Sequence, residues 1–399
     1  MNIKNYKLWS KDSKLDSFVE YFETKDDILL DQKLLEYDVK GSIAHAKMLN
    51  KIGLFTKDEL NKLEKGLKEI IKLNEKGKFN LEFGDEDIHT KIENYLTERY
   101  GEVGKKIHTG RSRNDQVLTA IRLYSKDKLK NIEKELTLLI KGFILFAKKY
   151  GTIQMPGYTH MQKAMPSSIK IWGESFAEGL TDDSILLKTA QKINNQSPLG
   201  SVAGYGVSLP LDKNYTAKLL GFEKVQNNPL YCQNSKGKIE GLILSALIQI
   251  LLTINKFASD IMLFTTSELN FFDVSSKLTS GSSIMPQKKN IDIAELLRSK
   301  VHLVLGNYTQ IVSLSSNLIS GYNRDLQDIK KPLFESLEIT LDSLKVAKIL
   351  LENMVPNKKK LEESMTSELY ATEKALKLVQ SGVSFREAYQ NIKEKMTNS

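Results

Sequence analysis

The sequence predicts an all-α fold: a central bundle of long helices flanked by two smaller helical domains. Three observations predict it. Only eight prolines interrupt 399 residues, which leaves long stretches free of helix breakers. Apolar residues recur at helical spacing through those stretches. Strand-like alternation bounded by turn residues is scarce.

In chain order, residues 1–107 read as a helical, mixed-charge N-terminal domain with a polar break at Lys76-Gly77-Lys78. The central domain, 108–355, opens near Gly110. Its first helix is expected from Asp115 to Lys149, where Val117, Ile121, Leu123, Leu129, Ile132, Leu136 and Leu139 keep helical spacing. Ser167 to Asn195 reads the same way. Ile239 to Thr266 is apolar nearly all round, the pattern of a helix buried on most sides. Ile291 to Ser315 and Leu326 to Glu352 complete a set of five. Pro356 ends the bundle, and 356–399 reads as a short, charged helical C-terminal domain. A helix apolar all round needs several neighbours, and one subunit supplies four other long helices. The bundle is therefore expected to be completed by further copies of the chain.

The composition, 41% hydrophobic and 27% charged, is that of an ordinary soluble protein. Cys232 is the only cysteine, so no internal disulfide forms and a reducing, cytoplasmic setting is expected. Its neighbours offer no activating base, and it reads as a small buried apolar residue. Met1 to Ser10 carries Lys4 and Lys7 and no apolar run, unlike a secretory signal. The most apolar segment, Gly241 to Ile254, is short for a bilayer span and reads as a buried helix, so no membrane partner is expected. The net charge of +9 comes from lysines spread in mixed-sign runs such as Lys62-Leu63-Glu64-Lys65. Only Lys358-Lys359-Lys360 is a tight cluster. This reads as a lysine-rich surface rather than a nucleic-acid footprint.

Five segments carry chemistry. Gly281-Ser282-Ser283-Ile284-Met285-Pro286-Gln287-Lys288-Lys289-Asn290 places hydroxyls, amines and an amide in a loop that can curl over a small anion. Ser112-Arg113-Asn114 offers a guanidinium fork and neutral donors for carboxylates, although Asn114 or Asp115 would also serve as a helix cap. In Glu86-Asp87-Ile88-His89, His89 either touches a substrate or stands at a helix start behind acidic caps. In Gly157-Tyr158-Thr159-His160-Met161-Gln162, His160 is an acid/base candidate because an imidazole titrates near neutrality. In Gly321-Tyr322-Asn323-Arg324-Asp325-Leu326-Gln327-Asp328-Ile329-Lys330, Gln327 and Lys330 are three apart and would share one helix face, with Tyr322 near the helix start. The other reading is a salt-bridged helix N-terminus. No Cys/His cluster or dinucleotide loop occurs, so no metal and no organic cofactor are expected.

Together these segments resemble the fumarase/aspartase superfamily, and within it the argininosuccinate lyase family. Met285-Pro286-Gln287-Lys288-Lys289-Asn290 follows the superfamily's signature loop residue for residue. The 108–116 and 321–330 segments narrow the likeness. Tyr37 to Leu49 and Ser197 to Gly206 extend it over almost the whole chain. The resemblance implies the superfamily's helical lyase fold and reversible elimination of fumarate from argininosuccinate to give arginine, the last step of arginine biosynthesis. It implies Ser282 as base, Lys288 and Asn290 as stabilisers of the carbanion, and His160, backed by Glu295, as proton donor. The opposite division of acid and base between Ser282 and His160 stays open at this level. Ser112, Arg113, Asn114, Thr159, Tyr322, Gln327, Lys330 and His89 are implied substrate contacts. Asp27 stands where relatives carry a substrate-contacting Ser. A homotetramer with active sites shared between subunits is also implied.

The sequence departs from the family pattern at several points. Ser10-Lys11-Asp12 follows Leu8-Trp9 where Gly-Gly-Arg-Phe is expected. Asp27 adds a carboxylate that would repel an anionic substrate unless it meets the guanidinium end. Met165 precedes Pro166, Ile291 follows Asn290, and the chain stops soon after Phe385-Arg386-Glu387-Ala388. The alternatives are another fumarate-forming lyase, against which the Ser112-Arg113-Asn114 and Tyr322 segments argue, and a catalytically silent structural homologue.

Overall fold

The computed structural model describes residues 16–82 and 85–397. The Leu8-to-Asp12 departure lies outside them. The N-terminal helices are α1 (Ser17–Lys51), α2 (Lys57–Glu75), α3 (Ile88–Tyr100) and the single turn α4 (Glu102–Lys105). Each of the first three starts on a side chain that occupies otherwise orphaned amides. Asp16 accepts from Phe18 and Val19, Asp87 accepts from Thr90, and Thr56 forms a reciprocal capping box with Glu59.

The expected long helices are all present. They are α5 (Arg113–Tyr150), α6 (Ile169–Asn194), α9 (Lys238–Phe264), α10 (Asp292–Ser315) and α11 (Lys330–Glu352). Short helices α7 (Lys213–Leu219) and α8 (Pro229–Asn234) precede α9, and α12 (Lys358–Glu363), α13 (Ala371–Gln380) and α14 (Phe385–Thr397) close the chain. Strands form three two-stranded pairs: β1 (Gln154–Thr159) with β2 (Gln162–Ser168), β3 (Gln196–Ser197) with β4 (Lys224–Val225), and β5 (Phe272–Val274) with β6 (Met354–Pro356). The protein is all-α with minor strands.

Internal contacts divide the chain into two units. The first holds Met1–Asn131, Leu186–Leu247 and Val304–Glu338; the second holds Ile132–Ile185, Ile248–Leu303 and Ile339–Ser399. All five long helices contribute to both. The expected domain boundary at 107/108 falls in a 3₁₀ turn, Lys106–His108, and that at 355/356 falls inside β6.

In the first unit, Leu35, Val39, Leu49, Leu63, Leu67 and Ile92 pack α1, α2 and α3 together. Tyr124 of α5 lies 4.3 Å from Phe334 of α11, ring centre to ring centre. The buried Arg122 donates to the Gln196 carbonyl and the Ser235 hydroxyl. In the second unit, Phe143, Phe176, Phe257 and Trp172 form a continuous aromatic cluster, and the Trp172 indole donates to Asp260 at 2.9 Å. Gly173 lets α6 approach α5 closely, since a Cβ there would sit 3.2 Å from that of Ala147.

Helix α9 extends well beyond the 241–254 apolar run. It is long and apolar enough to cross a membrane by length and composition. Most of its apolar residues, among them Leu244, Leu247, Leu251 and Phe257, are buried within the protein, as in a core helix, while Leu242 and Leu252 are exposed. Cys232 is fully buried, and its thiol donates to the Gln226 carbonyl.

Candidate functional site

Helix α1 builds one wall of a cavity. Its inward positions Thr24, Asp27, Asp31, Asp38, Ser42 and His45 recur at intervals of three, four or seven residues, so a polar stripe runs where an ordinary helix would be apolar. Three of these residues, with segments 86–89 and 113–117, Lys236, and segment 322–330, enclose a cavity of about 210 Å³. A wider recess shares Glu23, Asp27, Arg324 and Gln327 with it. Both lie within the first unit.

The cavity's charges are organised in pairs. The Lys330 ammonium sits 2.7 Å from Asp27 and 2.8 Å from Asp31. Burial opposes that charge, but the two carboxylates hold the ammonium above the usual lysine range. Burial pushes the Asp27 carboxyl up to about 6, with Lys330 pulling against it and Asp31 adding to it. Arg113 is held by Glu86, by Asp87 at 3.4 Å and by the Thr90 hydroxyl at 2.9 Å.

The His89 Nδ1 lies 2.9 Å from Asp38. Burial works against its charge, but the Asp38 carboxylate and its hydrogen bond, helped by Asp87, raise the imidazole to about 9. Its Nε2 is buried with no hydrogen-bond partner among the described residues. His89 thus enters the cavity wall as a cation with one donor unspent.

Asn114 also lines the cavity, one residue into α5. Ser112 precedes α5, and its hydroxyl accepts from the Asn114 amide at 3.3 Å. Asp115 anchors the turn. It accepts from the amides of Ser112, Gly200 and Val202, and burial still pushes its carboxyl up to about 6. The capping role expected of this segment therefore falls to Ser112 and Asp115 and coexists with Asn114's place in the wall.

Gln327 and Lys330 do not share one helix face. Gln327 ends a 3₁₀ turn, Arg324–Gln327, and Lys330 begins α11. Pro332 has no amide to give the Asp328 carbonyl, so a helix running through both residues would lack that bond. The break still brings both into the cavity. The Gln327 amide nitrogen donates to the Glu23 carbonyl at 2.8 Å, and Tyr322 stands half-exposed at the rim.

Lys236 escaped the sequence reading. It is 5% exposed and lines the cavity, and its ammonium makes no ion pair or hydrogen bond among the described residues but lies 5.7 Å from the centre of the Tyr322 ring. Burial and then the Lys330 charge lower its ammonium to about 8. The available signal was its position, a Ser235-Lys236-Gly237 break just before the most apolar helix.

The remaining expected residues belong to the second unit. The antiparallel Ser280–Asn290 bridge, with amide-to-carbonyl bonds of 3.0 and 2.9 Å, closes residues 281–289 into a loop. Inside it the Ser282 hydroxyl accepts from the Met285 amide at 3.2 Å and the Ile284 amide at 3.4 Å. The Asn290 side chain donates to the Ser280 hydroxyl and the Gly281 carbonyl. Lys288 is exposed, as is Glu295 in the first turn of α10.

Thr159 and His160 lie at the tip of the β1–β2 hairpin. Thr159 pairs with Gln162, so His160 and Met161 form a two-residue turn, both with positive φ, 50° and 61°. Such values strain residues bearing a Cβ. Among the described residues, His160 and Glu295 form no ion pair with each other.

Comparison with known proteins places this geometry. A family described as Lyase matches residues 12–306. The chain is 46% identical to argininosuccinate lyase of Thermotoga neapolitana over 98% of both chains. It is 40% identical to argininosuccinate lyase of Parabacteroides distasonis, over 97% of this chain and 86% of the other. Among solved structures, an EDDS lyase in complex with formate superposes with a TM-score of 0.82 at 22% identity, covering 97% of this chain and 77% of that one. A fumarate lyase:delta crystallin from Brucella melitensis bound to cobalt superposes with a TM-score of 0.80 at 19% identity, covering 96% and 89%. These structural likenesses establish a shared fold.

Proposed function

This chain belongs to the argininosuccinate lyase family, and from that premise we propose how its residues divide the work. The protein is a carbon–nitrogen lyase that eliminates fumarate from argininosuccinate to leave arginine, a reaction that runs in both directions. One observation supports the assignment beyond overall identity. The segments 86–89, 113–114 and 322–330, which single out this family in the sequence, converge on one cavity. We place the reaction at the last step of arginine biosynthesis, in the cytoplasm, in keeping with the unpaired buried Cys232.

In the proposed mechanism, Ser282 removes the proton from the carbon next to a carboxylate of the succinyl group. The Ile284 and Met285 amides that already face its oxygen stabilise the alkoxide form, as oxyanion-hole donors do. Lys288, Asn290 and loop amides hold the resulting dianion. The carbon–nitrogen bond then breaks, and His160, oriented by Glu295, returns a proton to the departing guanidino nitrogen. Asp27, Ser112, Arg113, Asn114, Thr159, His89, Tyr322, Gln327 and Lys330 hold the substrate.

The assembly is proposed to be a homotetramer whose sites draw on several subunits. Exposed apolar residues on the long helices support it, including Leu145, Ile171, Leu252, Leu296 and Leu303. Mixing His160→Ala protein with Ser282→Ala protein should restore part of the activity that each lacks. Verified mixed tetramers with no recovery would refute shared sites. The activity itself is tested by ultraviolet detection of fumarate released from argininosuccinate, with adenylosuccinate, aspartate and malate in parallel. Release from argininosuccinate alone is expected, and no release from any of the four by folded protein would overturn the assignment.

A further inference from the structure

The hairpin that carries His160 has a strained tip. His160 and Met161 are neighbours with φ of 50° and 61°, and both are exposed. Two-residue turns of this hand suit Asn and Gly rather than His and Met. Such backbone persists only where the surroundings over-determine it. Burial of the tip does not supply that constraint, so it has to enter through the strands.

The C-terminal segment reaches both strands. On β2, Lys163 pairs with Tyr158, next to the Thr159–Gln162 pair that closes the turn, and the register shifts beside it, as in a β-bulge. The Lys163 ammonium donates to the Ser364 carbonyl at 2.9 Å, at the C-terminal end of α12. At the other end of the hairpin, the Tyr370 hydroxyl donates to the Gln154 side-chain oxygen at 3.1 Å. Between these bonds α12 packs on β1, and the 3₁₀ turn Ser367–Tyr370 packs on β2.

This segment is itself anchored. Leu361 and Leu369 are buried, and the Asn357 amide donates to the Phe271 carbonyl at 2.8 Å. Strand β6, which leads into α12, pairs with β5, and β5 leads through a 3₁₀ turn into the 280–290 loop. All of these residues lie in the second unit.

Resting on the argininosuccinate lyase reading with His160 as proton donor, we propose that residues 354–370 bracket the hairpin, with Lys163 and Tyr370 as positioning residues that aim His160. Glu295 orients the imidazole; the bracket fixes the backbone that carries it. Both bonds involve exposed groups, so each contributes little to stability. Their effect falls on aim, where a misplacement of about 1 Å costs about a hundredfold in rate.

Fumarate release from argininosuccinate tests the bracket. Lys163→Gln should lower kcat about tenfold, with KM and melting temperature unchanged. Lys163→Arg, which can still donate to the Ser364 carbonyl, should restore most of it. Tyr370→Phe removes one oxygen and should lower kcat about threefold. In a His160→Ala background, Lys163→Gln should cause no further loss, because a misaimed donor and a missing donor impair the same step.

Values of kcat within about twofold of wild type for both Lys163→Gln and Tyr370→Phe would overturn the bracket. So would the same fold-loss with and without His160, or a loss that follows melting temperature. His160→Ala turnover within about threefold of wild type would remove the donor and the bracket together while leaving the lyase reading intact. No release by the wild-type protein would overturn the lyase reading itself. If Lys163→Gln fails to fold, Tyr370→Phe carries the same comparison.

Discussion

The cavity beside α1 and the loop from Ser280 to Asn290 are built on opposite plans. In the cavity, charges are buried and fixed by one another: Lys330 by Asp27 and Asp31, His89 by Asp38, Arg113 by Glu86 and Asp87. The loop is exposed, is closed only by its own bridge, and satisfies Ser282 with two of its own amides. Recognition of a flexible, multiply charged molecule favours fixed partners, because each side chain ordered in advance spares entropy on binding. Proton abstraction by a hydroxyl needs a different environment, one that becomes dry when substrate is present. On the proposed reading, the first region is finished within one subunit and the second is completed by substrate and neighbouring chains.

Substitutions in the two regions should therefore fail in different ways. Ser282→Ala should lower turnover by about a thousandfold or more, in the range of losing a base and its proton transfer, and leave arginine binding and thermal stability unchanged. Residual turnover within tenfold of wild type would remove Ser282 from the chemistry. Asp31→Ala should do the reverse to the fold. It leaves the Lys330 ammonium buried with half its counter-charge, a change that costs about 3–5 kcal/mol when one partner of a buried pair is lost. Denaturant unfolding measures it, and a loss below about 1 kcal/mol would show that the cavity is not held by its charges.

The same contrast explains what was legible in the sequence. The five long helices were readable because their buried faces are apolar and keep a 3.6 period over many turns. Helix α1 was visible only as helical, mixed-charge sequence, because its buried face is polar where it walls the cavity; Asp27 was reached only through the family resemblance, and the buried Asp31 and Asp38 were not singled out. The β1–β2 hairpin was hidden by Pro156 and Pro166, which pair with each other across the ladder and break the strand pattern. The Gln327–Lys330 helix face was misread because Pro332 shifts the start of α11. Among site residues, those in dense segments such as Ser282, Lys288, Asn290 and Arg113 stood out. Lys236 did not, because its one signal, the Ser235-Lys236-Gly237 break before the most apolar helix, is weak among the many lysines of a basic chain.

A smaller effect separates the regions by pH. His89 is raised to about 9 in the folded protein, against about 6.5 for a free imidazole. The folded state holds the proton more tightly, so the stabilisation is full below about pH 6.5 and is lost as pH rises through about 9. Stability measured by urea between pH 6 and 10 should fall over that window, and His89→Gln should flatten the fall. An unchanged profile in the variant would mean that the Asp38 pair does not couple to folding.

The smallest expected effect lies at the hairpin tip. Met161 holds φ at 61° and is largely exposed, so its side chain gives little in return for the left-handed backbone. Met161→Gly removes the Cβ clash, while adding freedom to the unfolded chain works against the gain. The net change should be stabilising and no larger than about 1 kcal/mol, read as a small rise in melting temperature. Activity is the informative readout. If the turn serves only to reverse the chain, kcat/KM should hold or rise with stability. If the strained backbone aims the neighbouring His160, kcat should fall while KM for the arginine end stays constant. That outcome would show that the second region is also built in advance, and would narrow the contrast with the cavity to the 280–290 loop alone.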